Sequence, residues 1–252
     1  EVRNCKIYET EYPAILLSKS KCIIEDNEIK SVAQNGISLN TVKSFSVRRN
    51  NISDVNGSAI SVMDDSNGEV HRNKITKIGG NGIYVSGNSS VRAYKNEISD
   101  NNYPGIAILM KSKAKLFKNK VTNIKFNGIC VRGASSAQVV KCRIENVNQC
   151  GISISDTKKC VIEDSTFTNC KIAAVEAYNR SKVYITNNKV SQMGEYAFLV
   201  YTLGYMEAKS NTISDIGKAM VKLLYKGGGI FTDNILKNCI SQKESQTSSK
   251  YL

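Results

Sequence analysis

The tripeptide Asn-x-Ile recurs with a fixed step of 23 residues, and this periodicity constrains the chain more than any other feature. It appears as Asn27/Ile29, Asn50/Ile52, Asn73/Ile75, Asn96/Ile98 and Asn119/Val121. It continues with substitutes as Cys142/Ile144 and Ser165/Phe167, then returns as Asn188/Val190, Asn211/Ile213 and Asn234/Leu236. An earlier copy, Cys5/Ile7, precedes the first by 22 residues, so the register slips once. Each Asn is followed by a small residue and an alternating apolar pair, as in Gly36-Ile37-Leu39, Gly82-Ile83-Val85 and Gly151-Ile152-Ile154. A third alternating pair follows, as in Phe45/Val47, Val91/Ala93 and Val183/Ile185.

Alternation with period two means strands with one buried face, and three short strands cannot enclose a core within one unit. Stacking the units does enclose one. The repeat therefore predicts an all-β parallel β-helix of about ten coils, three strands per coil, in which each strand pairs with its counterpart one coil later at about 4.8 Å. An α-solenoid would need apolar spacings of three and four, which the units lack. The expected domain spans residues 1–240, with 241–252 as a C-terminal tail or cap. A column of Asn amides can bond to the amides above and below it and to the turn backbone, and Asn tolerates the left-handed conformation that a sharp corner needs. Cys142 and Ser165 break that column, so a local change in the turn is expected there.

With 41% apolar and 23% charged residues among 252, the chain is a globular composition rather than a disordered one. No apolar run is long enough for a membrane span, and the start at Glu1-Val2-Arg3 has no signal-peptide layout, so the sequence reads as a soluble piece of something longer. The net charge of +13 favours an acidic partner or surface. The eight cysteines show neither CxxC pairs nor the density of a disulfide scaffold, and read as mostly buried free thiols in a reducing, cytoplasmic setting.

Gly-Ile-x-Val, an alternating strand, then Asn-x-Ile closely resembles the right-handed parallel β-helix repeats of the pectate-lyase-like superfamily, over residues 1 to about 240. The resemblance implies that the Gly-Ile-x-Val strands form the first sheet and that Asn marks the turn between the second and third. The superfamily includes pectate lyases, polygalacturonases and epimerases. It also includes non-enzymatic repeat domains, such as those of an F-box substrate receptor and of Shc-binding proteins. Its enzymes act on acidic polysaccharides along the outside of the first sheet, with clustered carboxylates, sometimes Ca²⁺, and an Arg or Lys base.

On that outer face the sequence offers Tyr84/Ser86, Cys130/Arg132, Ser153/Ser155, Glu176/Tyr178 and Leu199/Tyr201, with Glu176 the only carboxylate. Asp64 and Asp65 resemble the paired aspartates of polygalacturonases, but the chain has no Gly-His-Gly or Arg-Ile-Lys, and a solvated turn is the expectation. The lone histidine, His71, is expected at the surface. A 23-residue step unbroken from Asn27 to Asn234 leaves no insertions to wall a cleft, so no catalytic residues and no cofactor are assigned and the reading leans away from an enzyme.

Two surfaces remain as candidates. Arg49, Arg72, Lys95, Lys118 and Lys141 precede the ladder position in five successive coils and form a basic column suited to an acidic protein or phosphopeptide segment. Without aromatic interleaving to stack bases, nucleic acid is disfavoured. Tyr178, Leu199, Tyr201, Tyr205 and Tyr225, with Leu224, form an aromatic patch around the first sheet, suited to a partner or to sugar rings. The sequence thus predicts a non-catalytic protein-recognition scaffold of a larger intracellular protein, against the alternative of a β-helix that binds or cleaves acidic polysaccharide.

Overall fold

The computed structural model describes residues 1–157 and 159–239; the expected tail or cap at 241–252 lies outside the described residues. All regular structure among them is β, in three parallel sheets of 10, 11 and 11 strands. The first sheet holds the Gly-Ile-x-Val strands, such as Ile60–Met63 and Ile83–Val85. The second holds strands such as Asn67–His71, and the third those such as Lys74–Ile78. Each strand pairs with the equivalent strand one coil away, so identical positions meet: Ile83 with Ile60 and Ile106, Ile75 with Ile52 and Ile98.

This register stacks the inward side chains into one continuous core. Ile37, Ile60, Ile83, Ile106, Ile129 and Ile152 are fully buried in one column, and Ile52, Ile98, Val121, Ile144 and Phe167 in another. At roughly 1.5–3 kcal/mol for each large apolar side chain removed from water, these columns are the main driving force for coiling. The early slip has a definite place. Pairing runs at 22 residues through Ser18↔Asn40 and at 23 from Lys21↔Ser44 onward, so the missing residue falls at Lys19 and Ser20, in the turn between the first and second sheets.

The Asn ladder forms at the corner between the second and third sheets. Asn96 accepts at Oδ1 from the backbone N–H and Nδ2 of Asn73, and donates from Nδ2 to Val70 O and Asn119 Oδ1, all within 2.9–3.1 Å. The left-handed residue at this corner is not the Asn but the one before it: φ is 54° at Arg49, 56° at Arg72 and Lys95, and 54° at Lys118. The expected change of turn at the ladder break does not occur. Lys141 and Asp164 keep φ of 55° and 50°, while Cys142 Sγ receives Asn119 Nδ2 at 3.9 Å and Ser165 Oγ receives the Cys142 N–H at 3.1 Å. The substitutes alter the chemistry of the ladder and leave its geometry intact.

A second ladder was not foreseen. Ser66, Ser89, Ser112 and Ser135 are buried in the turn between the first and second sheets, and each Oγ accepts the backbone N–H of the coil before it: Val42 to Ser66, Ser66 to Ser89, Ser89 to Ser112 and Ser112 to Ser135. Its signal, Ser at four successive 23-residue steps, is present in the sequence.

Candidate functional site on the first sheet

The outward positions of the first sheet form a floor of short side chains. Ser38, Ser61, Ala107, Cys130, Ser153 and Ser155 alternate with the core residues and yet are buried, because they end below the larger groups around them. Toward the carboxyl end the floor gives way to a cluster. The register aligns Cys130, Ser153, Glu176 and Leu199 in one column, and Ser155 beside Tyr178 in the next.

Tyr178 and Tyr201 stack with centroids 4.8 Å apart and planes within 4°. The Tyr201 hydroxyl donates to Glu176 Oε2 at 3.4 Å, and burial, reinforced by the Glu176 charge, raises the phenol well above its ordinary pKa, so it stays a proton donor. Arg132 extends over the short Ser155 until its guanidinium lies 5.9 Å from the centre of the Tyr178 ring, a cation–π distance. Two polar atoms in this cluster, Arg132 Nε and Ser153 Oγ, are buried and have no hydrogen-bond partner in the protein. Such groups cost free energy unless something pairs with them. The cluster therefore offers a cation, a carboxylate, a hydroxyl and a flat apolar pair on one open face.

The chain matches the right handed beta helix region family over residues 1–140 and 127–244. It belongs to that family. No curated protein sequence matches it. Among solved structures, this β-helix resembles the catalytic unit of a thermostable GH87 α-1,3-glucanase from Streptomyces thermodiastaticus, with TM-score 0.56 and 11% identity over 95% of this chain. It spans 64% of that catalytic unit. It also resembles the A-module of the mannuronan C-5 epimerase of Azotobacter vinelandii, with TM-score 0.52 and 12% identity over 92% of this chain and 88% of the module. At these identities the likeness is one of fold.

The aromatic patch expected from sequence is only partly assembled. Tyr178 and Tyr201 form the stacked pair, and Leu199 pairs in register with Glu176. Tyr205 belongs instead to a second-sheet strand, Tyr205–Lys209, where burial and Glu207 raise its phenol. Tyr225 sits at φ 46° in the turn after Ala219–Leu224 and is 78% exposed, with Leu224 partly exposed before it. Asp64 and Asp65 are exposed and both left-handed, with φ of 56° and 57°.

The basic column occupies the corner between the second and third sheets. Arg49 is engaged there, with its Nη2 2.7 Å from Glu25 and 2.6 Å from Asp26. Arg72, Lys95, Lys118 and Lys141 are exposed and form no ion pair among the described residues. The left-handed conformation costs a residue with a Cβ about 1–2 kcal/mol, least for Asn and Asp.

His71 is the clearest departure from the sequence reading. It is 6% exposed, stacked on Tyr94 at 4.5 Å and 6°, while the Tyr94 hydroxyl donates to Glu69. The sequence in fact places an aromatic ring before three consecutive corner cations, in His71-Arg72, Tyr94-Lys95 and Phe117-Lys118, so the interleaving absent from the sequence reading exists. Burial, aided by Arg48 and Arg72, lowers the His71 pKa. A histidine whose folded pKa lies below its unfolded value of about 6.5 stabilises the fold above that pH and loses the contribution as pH falls through the folded pKa. Urea titrations between pH 7.5 and 5 are expected to show a falling midpoint, and His71→Phe, which keeps the ring stack, is expected to flatten that slope.

The cysteines are free, and Cys130, Cys142, Cys150, Cys160 and Cys170 are buried. Burial pushes the thiol of Cys142 up to about 11 and those of Cys160 and Cys170 to about 12, which removes the thiolate needed for reactivity.

Proposed function

We propose that the outer face of the first sheet binds an acidic glycan, with Arg132, Glu176, Tyr178 and Tyr201 as its contacts. The observation that carries this reading is the stacked pair of Tyr178 and Tyr201 on the outer face, with the Arg132 guanidinium 5.9 Å from the Tyr178 ring and Glu176 accepting from the Tyr201 hydroxyl. A sugar ring complements the cluster with hydroxyls for Glu176 and an apolar face for the aromatic pair. Arg132 adds a preference for a carboxylate on the sugar, since guanidinium and carboxylate match in geometry. The fold neighbours named above are an α-1,3-glucanase and a mannuronan epimerase, and a glycan ligand agrees with both.

The reading is tested by calorimetric titration with oligomers of uronic acids and, in parallel, of neutral glucose. Selective binding of the uronic-acid oligomer is expected. Arg132→Gln should weaken it by about 1.5–3 kcal/mol, the worth of a charged hydrogen bond, or roughly 10–150-fold. Equal affinity for neutral and acidic oligomers, or full affinity in Arg132→Gln, would sink the assignment. Incubating the same oligomers with wild type and Glu176→Gln, and following chain length and sugar configuration, separates binding from turnover at the one carboxylate of the cluster.

The scaffold reading rests on the separate basic column, and it leads to a different surface and a different ligand.

A further inference from the structure

At the corner between the second and third sheets, residue choice runs against backbone conformation. Outside the basic run the left-handed position is held by Asn4, Asp26, Asp164, Asn187, Ser210 and Asp233, mostly the residue types that accept positive φ most readily. In five consecutive coils it is held by Arg49, Arg72, Lys95, Lys118 and Lys141 at the same φ of 54–56°. Four of these long side chains lack an ion pair among the described residues, and like charges stacked at about 4.8 Å repel. Arg49 is neutralised by Asp26 and Glu25, so the free charge starts at Arg72. Asp164 occupies the position after Lys141. We propose that Arg72, Lys95, Lys118 and Lys141 form a docking track for an acidic α-helix of a partner protein, laid along the rod.

The pitch selects this ligand among acidic segments. An α-helix brings one stripe of side chains round every 5.4 Å or so, against about 4.8 Å between coils, and a mismatch near 0.6 Å per step is within the reach of a lysine. An extended strand repeats the same face at about 6.6 Å, so after three steps its carboxylates are more than 5 Å out of register. The neighbouring rings point away from nucleic acid: His71 and Tyr94 cover each other's faces, and the Lys118 ammonium sits 5.1 Å above Phe117, which leaves little free ring surface for a base. One strand position beyond the ladder the column reads Lys74, Glu97, Lys120 and Arg143, so the positive charge there is interrupted at Glu97.

The test uses the whole chain and three synthetic probes, with binding read by fluorescence anisotropy at low salt. The first probe is a peptide helix with glutamates in a single stripe at four successive turns. The second is a helix of the same composition with glutamates spread around it, and the third a single-stranded oligonucleotide. The stripe helix is expected to bind, and the spread helix at least about tenfold more weakly. The combined variant Arg72→Asn, Lys95→Asn, Lys118→Asn and Lys141→Asn should lose roughly thirtyfold or more, four exposed pairs acting together. Because Asn suits the corner and removes the repulsion, the same variant should melt at the same temperature as wild type or higher. Equal binding of the two helices, tighter binding of the oligonucleotide, unchanged binding by the variant, or a lower melting temperature would each overturn the proposal. The last outcome would show that the cations hold the corner itself. None of these results bears on the first-sheet site, which the uronic-acid titration tests independently.

Discussion

Asn96→Ala is expected to lower stability by about 3–5 kcal/mol, seen as a large drop in the urea midpoint with little change in slope. The substitution strips partners from three buried groups at once: the Asn73 N–H, one Asn73 amide hydrogen and the Val70 carbonyl. Each buried polar group left unpaired costs about 1–3 kcal/mol. Asn96→Cys is expected to be milder, because Cys142 already holds a ladder position with the turn unchanged. A loss below about 1 kcal/mol for Asn96→Ala would mean that water or a shifted backbone satisfies these groups and that the ladder is not what secures the corner.

Phe167→Ala carries the second large effect, about 3–5 kcal/mol by the same measurement, from lost burial and the cavity left behind. Phe167 is fully buried in a column otherwise made of Ile and Val until Leu236 at its end. Gly151 lies against this ring as Gly82 and Gly128 lie against Ile98 and Ile144: an added Cβ would stand 2.8 Å from Phe167 Cδ1 and 2.7 Å from Ala174 O. Gly151→Ala in the wild type should therefore destabilise by overpacking, and part of that loss should disappear in the double variant Phe167→Ala/Gly151→Ala. Strictly additive losses would show that the two positions do not share space.

The architecture was legible in the sequence because the core consists of columns: one residue type repeated every 23 positions states both the strand and its partner. What escaped the sequence reading depends on side-chain length and on columns compared crosswise. His71 has a surface pattern, yet Tyr94 one coil later covers it, and neither residue alone reveals the stack. Arg132, Glu176 and Tyr201 each lie at outward positions of the first sheet, but only the shortness of Ser153 and Ser155 lets the Arg132 side chain approach the Tyr178 ring. Tyr205 is only four residues from the first-sheet Tyr201, but the turn at Thr202 and Leu203 carries it onto the second sheet. The left-handed residue was misplaced by one position because Asn is the usual occupant of such a conformation, while here its amide is needed for the ladder.

The single deletion in the repeat, at Lys19 and Ser20, separates the two rims of the rod by how freely they can diverge. The corner with the Asn ladder must keep its length in every coil, since each amide has to reach the next. The turn between the first and second sheets is held in the same way only where the Ser ladder runs, from Val42 to Ser135, and ahead of it, at Lys19 and Ser20, it has lost a residue without disturbing the strands on either side. That turn borders the proposed glycan face. New loops can therefore be grafted along one margin of the face, in the coils outside the Ser ladder, to reshape what it accepts, and the register that builds the rod stays untouched.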